Sequence, residues 1–219
     1  MIEPGPIFDE FAHGLMRVRG LDLSERQADW SSAVKRRLLL TGKRRGYVSL
    51  ANDDRRRSGS YVWDVAWCDE GPARRRNQKW ADIPNLGFPL RPYRSLVLAA
   101  EVEWGKPGIR RNTAVWRQNM EEVFRDFYKL LDARSSLKVM VYSSWRYPDQ
   151  GGRHGHFLRG FQQLLKDYQN HQGGERYLFF EFQDRTRKLC GWHTQVQQRG
   201  SRPFHMRSLG SYDYPRSWV

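Results

Sequence analysis

Apolar positions in the chain recur first at helical spacing, then at strand spacing, and then in alternation between the two. Residues 7–40 predict two helical pieces broken near Gly20, the second opening with SERQ, where Ser24 can cap and Gln27 can reach back; Trp30, Val34 and Leu38 then fall on one face. GYVSLAND reads as a short strand, DDRRRSGS as a turn, and SYVWDVAWCDEG as a strand over 61–68 rich in aromatic and branched residues. The apolar run SLVLAAEVEW predicts another strand. A strong helix is expected over 113–133, with Met120, Val123, Phe124, Phe127, Leu130 and Leu131 as its apolar face. LKVMVYSS, apolar almost throughout, has the look of a central or parallel strand. A further helix over 155–171 buries Phe157, Phe161, Leu164, Leu165 and Tyr168, and RYLFFEFQ and KLCGWHTQVQ predict two final strands. This order predicts an α/β fold, a mixed central β-sheet flanked by helices. Residues 1–219 are read as a single domain: a helical part over 1–45, a core over 46–150, and a terminal helix with strands over 151–219.

Two places break the apolar pattern. The 95–104 strand ends in Glu101 and Glu103, which strand alternation puts on one face with Val97 and Ala99, opposite Leu96, Leu98, Val102 and Trp104. Asp64 is expected inside the 61–68 strand, on the face of Val62 and Ala66, where an unpaired carboxylate is costly. If the two strands are neighbours, three carboxylates converge. Like charges that close call for a cation, and oxygen donors on rigid strands suit Mg²⁺, or Mn²⁺ in its place. The plainer readings are a polar strand end for the two glutamates and an arginine-paired or turn-capping Asp64.

Composition sharpens the choice of substrate. Lys and Arg number 38 against 24 Asp and Glu, a formal net charge of +14, which favours a polyanionic partner, and nucleic acid is the commonest. The basic runs Arg55, Arg56, Arg57 and Arg74, Arg75, Arg76, together with Lys79, Arg110 and Arg111, are candidate phosphate contacts, with VKRR and GKRRG nearby. Trp80 and Tyr93 interleave with them. No apolar run approaches the ~20 residues of a membrane span, and MIEPGPIFDEF lacks the features of a secretion signal. With only two cysteines, Cys68 and Cys190, a disulfide scaffold is disfavoured and a reducing, cytoplasmic setting is expected. His154 and His156, with Cys190 and His193, do not have the spacing of a zinc finger. No GxxxxGK[ST] loop and no GxSxG elbow is present, which disfavours nucleotide and Ser-His-Asp hydrolysis.

Asp64 on one strand, Glu101 on the next, and then a helix and strand through VFRDFYKLLDARSSLKVMVY resemble the PD-(D/E)XK nuclease superfamily. The resemblance covers roughly residues 22–150. It implies a restriction-endonuclease-like core and a Mg²⁺-dependent endonuclease acting on DNA in preference to RNA. Asp64 and Glu101 would then be metal ligands, and a homodimer is expected for double-strand cutting. The position usually held by Lys carries Glu103, which the resemblance makes a metal ligand or general base. Lys106 is a candidate phosphate contact, and Glu25 or Asp29 a candidate acid from the first helix of the core. A non-catalytic, basic nucleic-acid-binding protein is the alternative.

Overall fold

The computed structural model describes residues 2–18, 27–51, 63–70, 93–104, 113–144, 154–183, 186–196 and 204–214. Among these described residues four helices and seven strands follow in the order α1 (Pro4–Met16), α2 (Gln27–Arg44), β1 (Val48–Ala51), β2 (Val65–Glu70), β3 (Tyr93–Glu103), α3 (Thr113–Asp132), β4 (Leu137–Ser143), α4 (His154–Asp167), β5 (Arg176–Gln183), β6 (Lys188–Gln195) and β7 (Arg207–Asp213). All the strands join one sheet in sequence order. β1, β2 and β3 form an antiparallel meander, β3, β4 and β5 run parallel, and β6 and β7 return to antiparallel pairing. The predicted mixed sheet flanked by helices is therefore the architecture found.

Each face of the sheet carries its own core. On one side α1 and α2 bury Phe8, Phe11, Trp30, Val34 and Leu38 against Val65, Trp67, Leu98, Ala100, Val102, Val139 and Phe180. On the other, α3 and α4 bury Val123, Phe127, Leu130, Phe157 and Phe161 against Ala99, Met140, Tyr142, Tyr177 and Phe179. Parallel strands covered on both faces have no reason to alternate with polar residues, and every residue of β4 is buried. α1 closes over the far strands: Phe11 stacks on Phe180 with ring centroids 4.5 Å apart. Arg176 Nη1 donates to the Ile2 carbonyl at 2.7 Å and the Tyr212 hydroxyl to Asp9 Oδ1 at 2.9 Å.

α2 ends as its sequence predicts. Gly46 takes φ +83°, the left-handed conformation that glycine adopts without a Cβ clash, and its N–H bonds the Lys43 carbonyl at 3.0 Å. The VKRR and GKRR runs accordingly lie on or at the end of this helix. One of their members helps to dock α1, because Arg45 Nε donates to Glu10 Oε2 at 3.1 Å.

Three expectations need correction. β2 begins at Val65, so Asp64 lies in the bend just before the strand and not in its interior. The pairing of β2 with β3 slips between Trp67 and Cys68, which face Leu98 and Leu96 and skip Val97; the slip moves Leu96 to the Ala99 side of the sheet, against simple alternation. A further strand, β7, follows the two expected as the last. Its RSLGSYD is mostly exposed and lacks the apolar alternation that marks a half-buried strand.

Candidate active site

Five buried polar side chains lie at the carboxyl ends of the parallel strands, Glu101 on β3, Ser143 and Ser144 at the end of β4, and Glu181 and Gln183 on β5, whereas Lys138 and Thr194 are buried toward the other end of the sheet. The carboxyl end of β3 is held by its neighbours. Trp104, just past the strand, donates its Nε1–H to Ser31 Oγ of α2 at 2.7 Å and packs edge-on against Trp30 and Phe182. The strand end thus has a fixed position, and with it the two glutamates.

Asp64 meets this strand end from the bend just before β2. Its Oδ2 accepts the backbone N–H of Val102 at 2.9 Å, and its Oδ1 pairs with Lys35 Nζ of α2 at 2.6 Å. The register Val65↔Ala100 places the Asp64 backbone opposite Glu101. The cost of a carboxylate in this position, foreseen from the sequence, is met by a lysine and a backbone donor.

Glu101 is the more costly member. Its side chain is 3% exposed and its Oε1 has no hydrogen-bond partner among the described residues. Burial, and then the negative charge of Asp64, push the Glu101 carboxyl up to about 8; Lys129 pulls in the opposite direction. Lys129 comes from α3, with Nζ 3.5 Å from Glu101 Oε2 and 2.6 Å from Asp126 Oδ1. Asp126 and Lys129 are one helical turn apart, so both overhang the same part of the sheet. Burial draws the Lys129 ammonium down, but its hydrogen bond to Asp126 and the fields of Glu101, Asp126 and Asp64 outweigh that and leave its pKa above the ordinary value. Trp63 fixes the same turn of α3 from below, its Nε1–H donating to the Lys129 carbonyl at 3.4 Å.

Of the acids singled out in the sequence, the structure brings Asp64 and Glu101 together. Glu103 lies two residues further along β3, half-buried, opposite Tyr142 of β4. Among the described residues no three His, Cys, Asp or Glu side chains form a group that could hold a metal ion. Asp29 is on α2, but its side chain lies outside the described residues, as do Glu25, Lys106, Arg55, Arg56, Arg57, Arg74, Arg75, Arg76, Lys79, Arg110 and Arg111. Lys35, Asp126 and Lys129 were not foreseen. Asp126 and Lys129 flank the apolar face of α3 in VFRDFYKLL, and their position on the helix is the only signal the sequence offers.

A second row of polar groups crosses the same face of the sheet, where the register aligns Glu103, Tyr142, Glu181 and Cys190 on successive strands. The Tyr142 hydroxyl is buried without a hydrogen-bond partner among the described residues, and burial followed by Glu181 and Cys190 raises its pKa well above the phenol range. Gln183 Nε2 donates to Glu181 Oε2 at 3.0 Å. The Cys190 thiol, one of two free cysteines, is pushed up to about 11 by burial and then by Glu181. No described helix is long and apolar enough to cross a membrane. Compared with known proteins, the chain matches no protein-family model, no curated protein and no solved structure.

Proposed function

We propose that the protein is a Mg²⁺-dependent nuclease that hydrolyses phosphodiester bonds, with DNA its preferred substrate, on a restriction-endonuclease-like core. The observation that carries this reading is Glu101: a buried carboxyl at a parallel strand's end, beside Asp64, with one oxygen that has no donor among the described residues. Such a group is tolerated when a cation completes it, and the donor set, carboxylate oxygens on rigid backbone, fits a hard divalent ion. Asp64 and Glu101 would hold that ion. When bound, it would polarise the phosphate and acidify an attacking water.

Further support comes from topology. An α2–β1–β2–β3 antiparallel unit followed by α3 and a parallel β4 is the order that the resemblance to PD-(D/E)XK nucleases implies. In open sheets with parallel strands, ligands bind outside the strands' carboxyl ends, where Glu101 lies. The chain's charge of +14 supplies the attraction for a polyanion. In the hydrolysis a water oxygen bonds to phosphorus while one ester P–O bond breaks. The proton lost by the water passes to a carboxylate, for which Glu103 is the candidate, and the leaving oxygen takes a proton from solvent. Two copies acting together would cut both strands of a duplex.

One observation favours a different class. Lys35 already pairs with Asp64, and Lys129 with Asp126 and Glu101, an arrangement that a non-catalytic binder of nucleic acid could keep permanently. Supercoiled plasmid incubated with purified protein in Mg²⁺ and in EDTA separates the two. Metal-dependent nicking that disappears in Asp64→Ala and Glu101→Ala supports the nuclease. Salt-sensitive binding without nicking at any metal concentration overturns it in favour of the binder.

A further inference from the structure

The proposed hydrolysis places growing negative charge on the phosphate oxygens, and a site built of carboxylates needs a fixed positive side chain to meet it. The carboxyl end of β3 has none to offer, since its charged positions there are Glu101 and Glu103, and the strand's one cationic residue, Arg94, is at its opposite end. Two lysines stand beside the acids instead, and their surroundings differ. Lys35 is 12% exposed, and its contact is a short one, 2.6 Å to Asp64. It comes from α2, on the face of the sheet opposite α3, and neutralises the acid. Lys129 is 41% exposed, and its short contact, 2.6 Å, is to Asp126 on its own helix, whereas Glu101 Oε2 is 3.5 Å away.

This asymmetry bears on what happens when a cation reaches Glu101. A divalent ion on Glu101 would repel the Lys129 ammonium and cost it only the longer of its two contacts. Asp126 would keep the lysine tethered beside the site, and the partly exposed ammonium could turn outward to an oxygen of the bound substrate.

We propose that Lys129 is a catalytic residue, the cationic group that contacts the scissile phosphate, and that α3 thereby supplies the positive charge that the carboxyl end of β3 lacks. The assignment rests on the nuclease reading but is tested separately from it. Full-length Lys129→Met, Lys129→Arg and Glu101→Gln proteins are compared with the wild type in single-turnover cleavage of a plasmid with Mn²⁺, and in calorimetric binding of Mn²⁺ alone. Lys129→Met is expected to slow cleavage about 100-fold with Mn²⁺ affinity undiminished, and Lys129→Arg to recover part of the rate. A Lys129→Met protein that cleaves like the wild type, while Glu101→Gln is inactive, overturns the role of Lys129 and leaves the nuclease reading standing. Loss of Mn²⁺ binding together with cleavage in Lys129→Met also overturns it, since the lysine would then be a support for the metal site. A wild-type protein that cleaves nothing with Mg²⁺ or Mn²⁺ overturns both.

Discussion

The Asp64 carboxylate takes its backbone hydrogen bond from Val102, the residue next to Glu101, at 2.9 Å. One acid is therefore fixed by the strand that carries the other, and the separation of the two cannot drift without breaking that bond. Asp64→Asn keeps an acceptor for the Val102 N–H but removes the charge that acts on Glu101. The Glu101 carboxyl should then titrate below its wild-type value of about 8. Carboxyl ¹³C NMR across the pH range reads this directly. Asp64→Ala removes the acceptor as well, and the orphaned N–H should cost a further 1–3 kcal/mol or so in denaturant unfolding.

Glu101 makes the metal-free protein less stable as pH rises. Its carboxyl titrates near 4.5 when unfolded and about 8 when folded, so the native state binds the proton more tightly. Stability is greatest below the lower value and is lost as pH climbs through the upper one. In EDTA, thermal unfolding should fall across this window, and Glu101→Gln should flatten the slope and raise Tm at pH 8 by roughly 3–6 °C, equivalent to about 1–2 kcal/mol. Added Mn²⁺ should raise the wild-type Tm at that pH and leave the Gln variant unmoved.

At the opposite end of the parallel strands Lys138 is a buried ion-pair partner. Its Nζ reaches Glu175 Oε2, the Tyr177 hydroxyl and the Leu131 carbonyl, each at 3.0 Å, and so caps the carboxyl end of α3. Burial lowers the Lys138 pKa against the pull of Glu175. Glu175 is itself held below the carboxylate range, because bonds from His171, Lys138 and Tyr177 outweigh its burial. Removing either partner strands the other: Lys138→Met and Glu175→Gln should each cost about 3 kcal/mol. The double variant should cost clearly less than their sum in urea unfolding.

Gly42 is required by close packing of α2 on the sheet. A Cβ there would lie 2.6 Å from Trp67 Nε1, the same nitrogen that donates to the Leu38 carbonyl at 3.1 Å. Gly42→Ala, favourable for an isolated helix, should therefore destabilise the protein by about 2 kcal/mol and quench or shift Trp67 fluorescence.

What the sequence made legible follows from what each element must bury. Strands covered on both faces, such as LKVMVYS, and helices with one apolar face, such as α3, announce themselves through Val139, Met140, Phe127 and Leu130. Asp64 and Glu101 stood out because a charge in an apolar run needs a reason. Lys129 and Lys35 did not, since a lysine on a helix flank is ordinary until the fold shows which carboxylate it meets. Lys138 is also a charge inside an apolar run and was passed over; its partners Glu175 and Tyr177 belong to a segment nearly forty residues away, so nothing near it in the sequence shows what pairs with it. β7 was illegible because its exposed side chains leave no periodic signal, and its place is set by backbone pairing with β6.

The way α1 closes over β5, β6 and β7 bears on how the protein matures during translation. The helix leaves the ribosome before every strand it covers, carrying Ile7, Phe8, Phe11 and Leu15 as an apolar stripe. Apart from α2, its docking surface emerges only when Phe180 and Tyr212 have been synthesised. Nascent chains therefore pass through a long interval in which this stripe is open to chaperones, and the act that completes folding is performed by a segment made before every strand it covers.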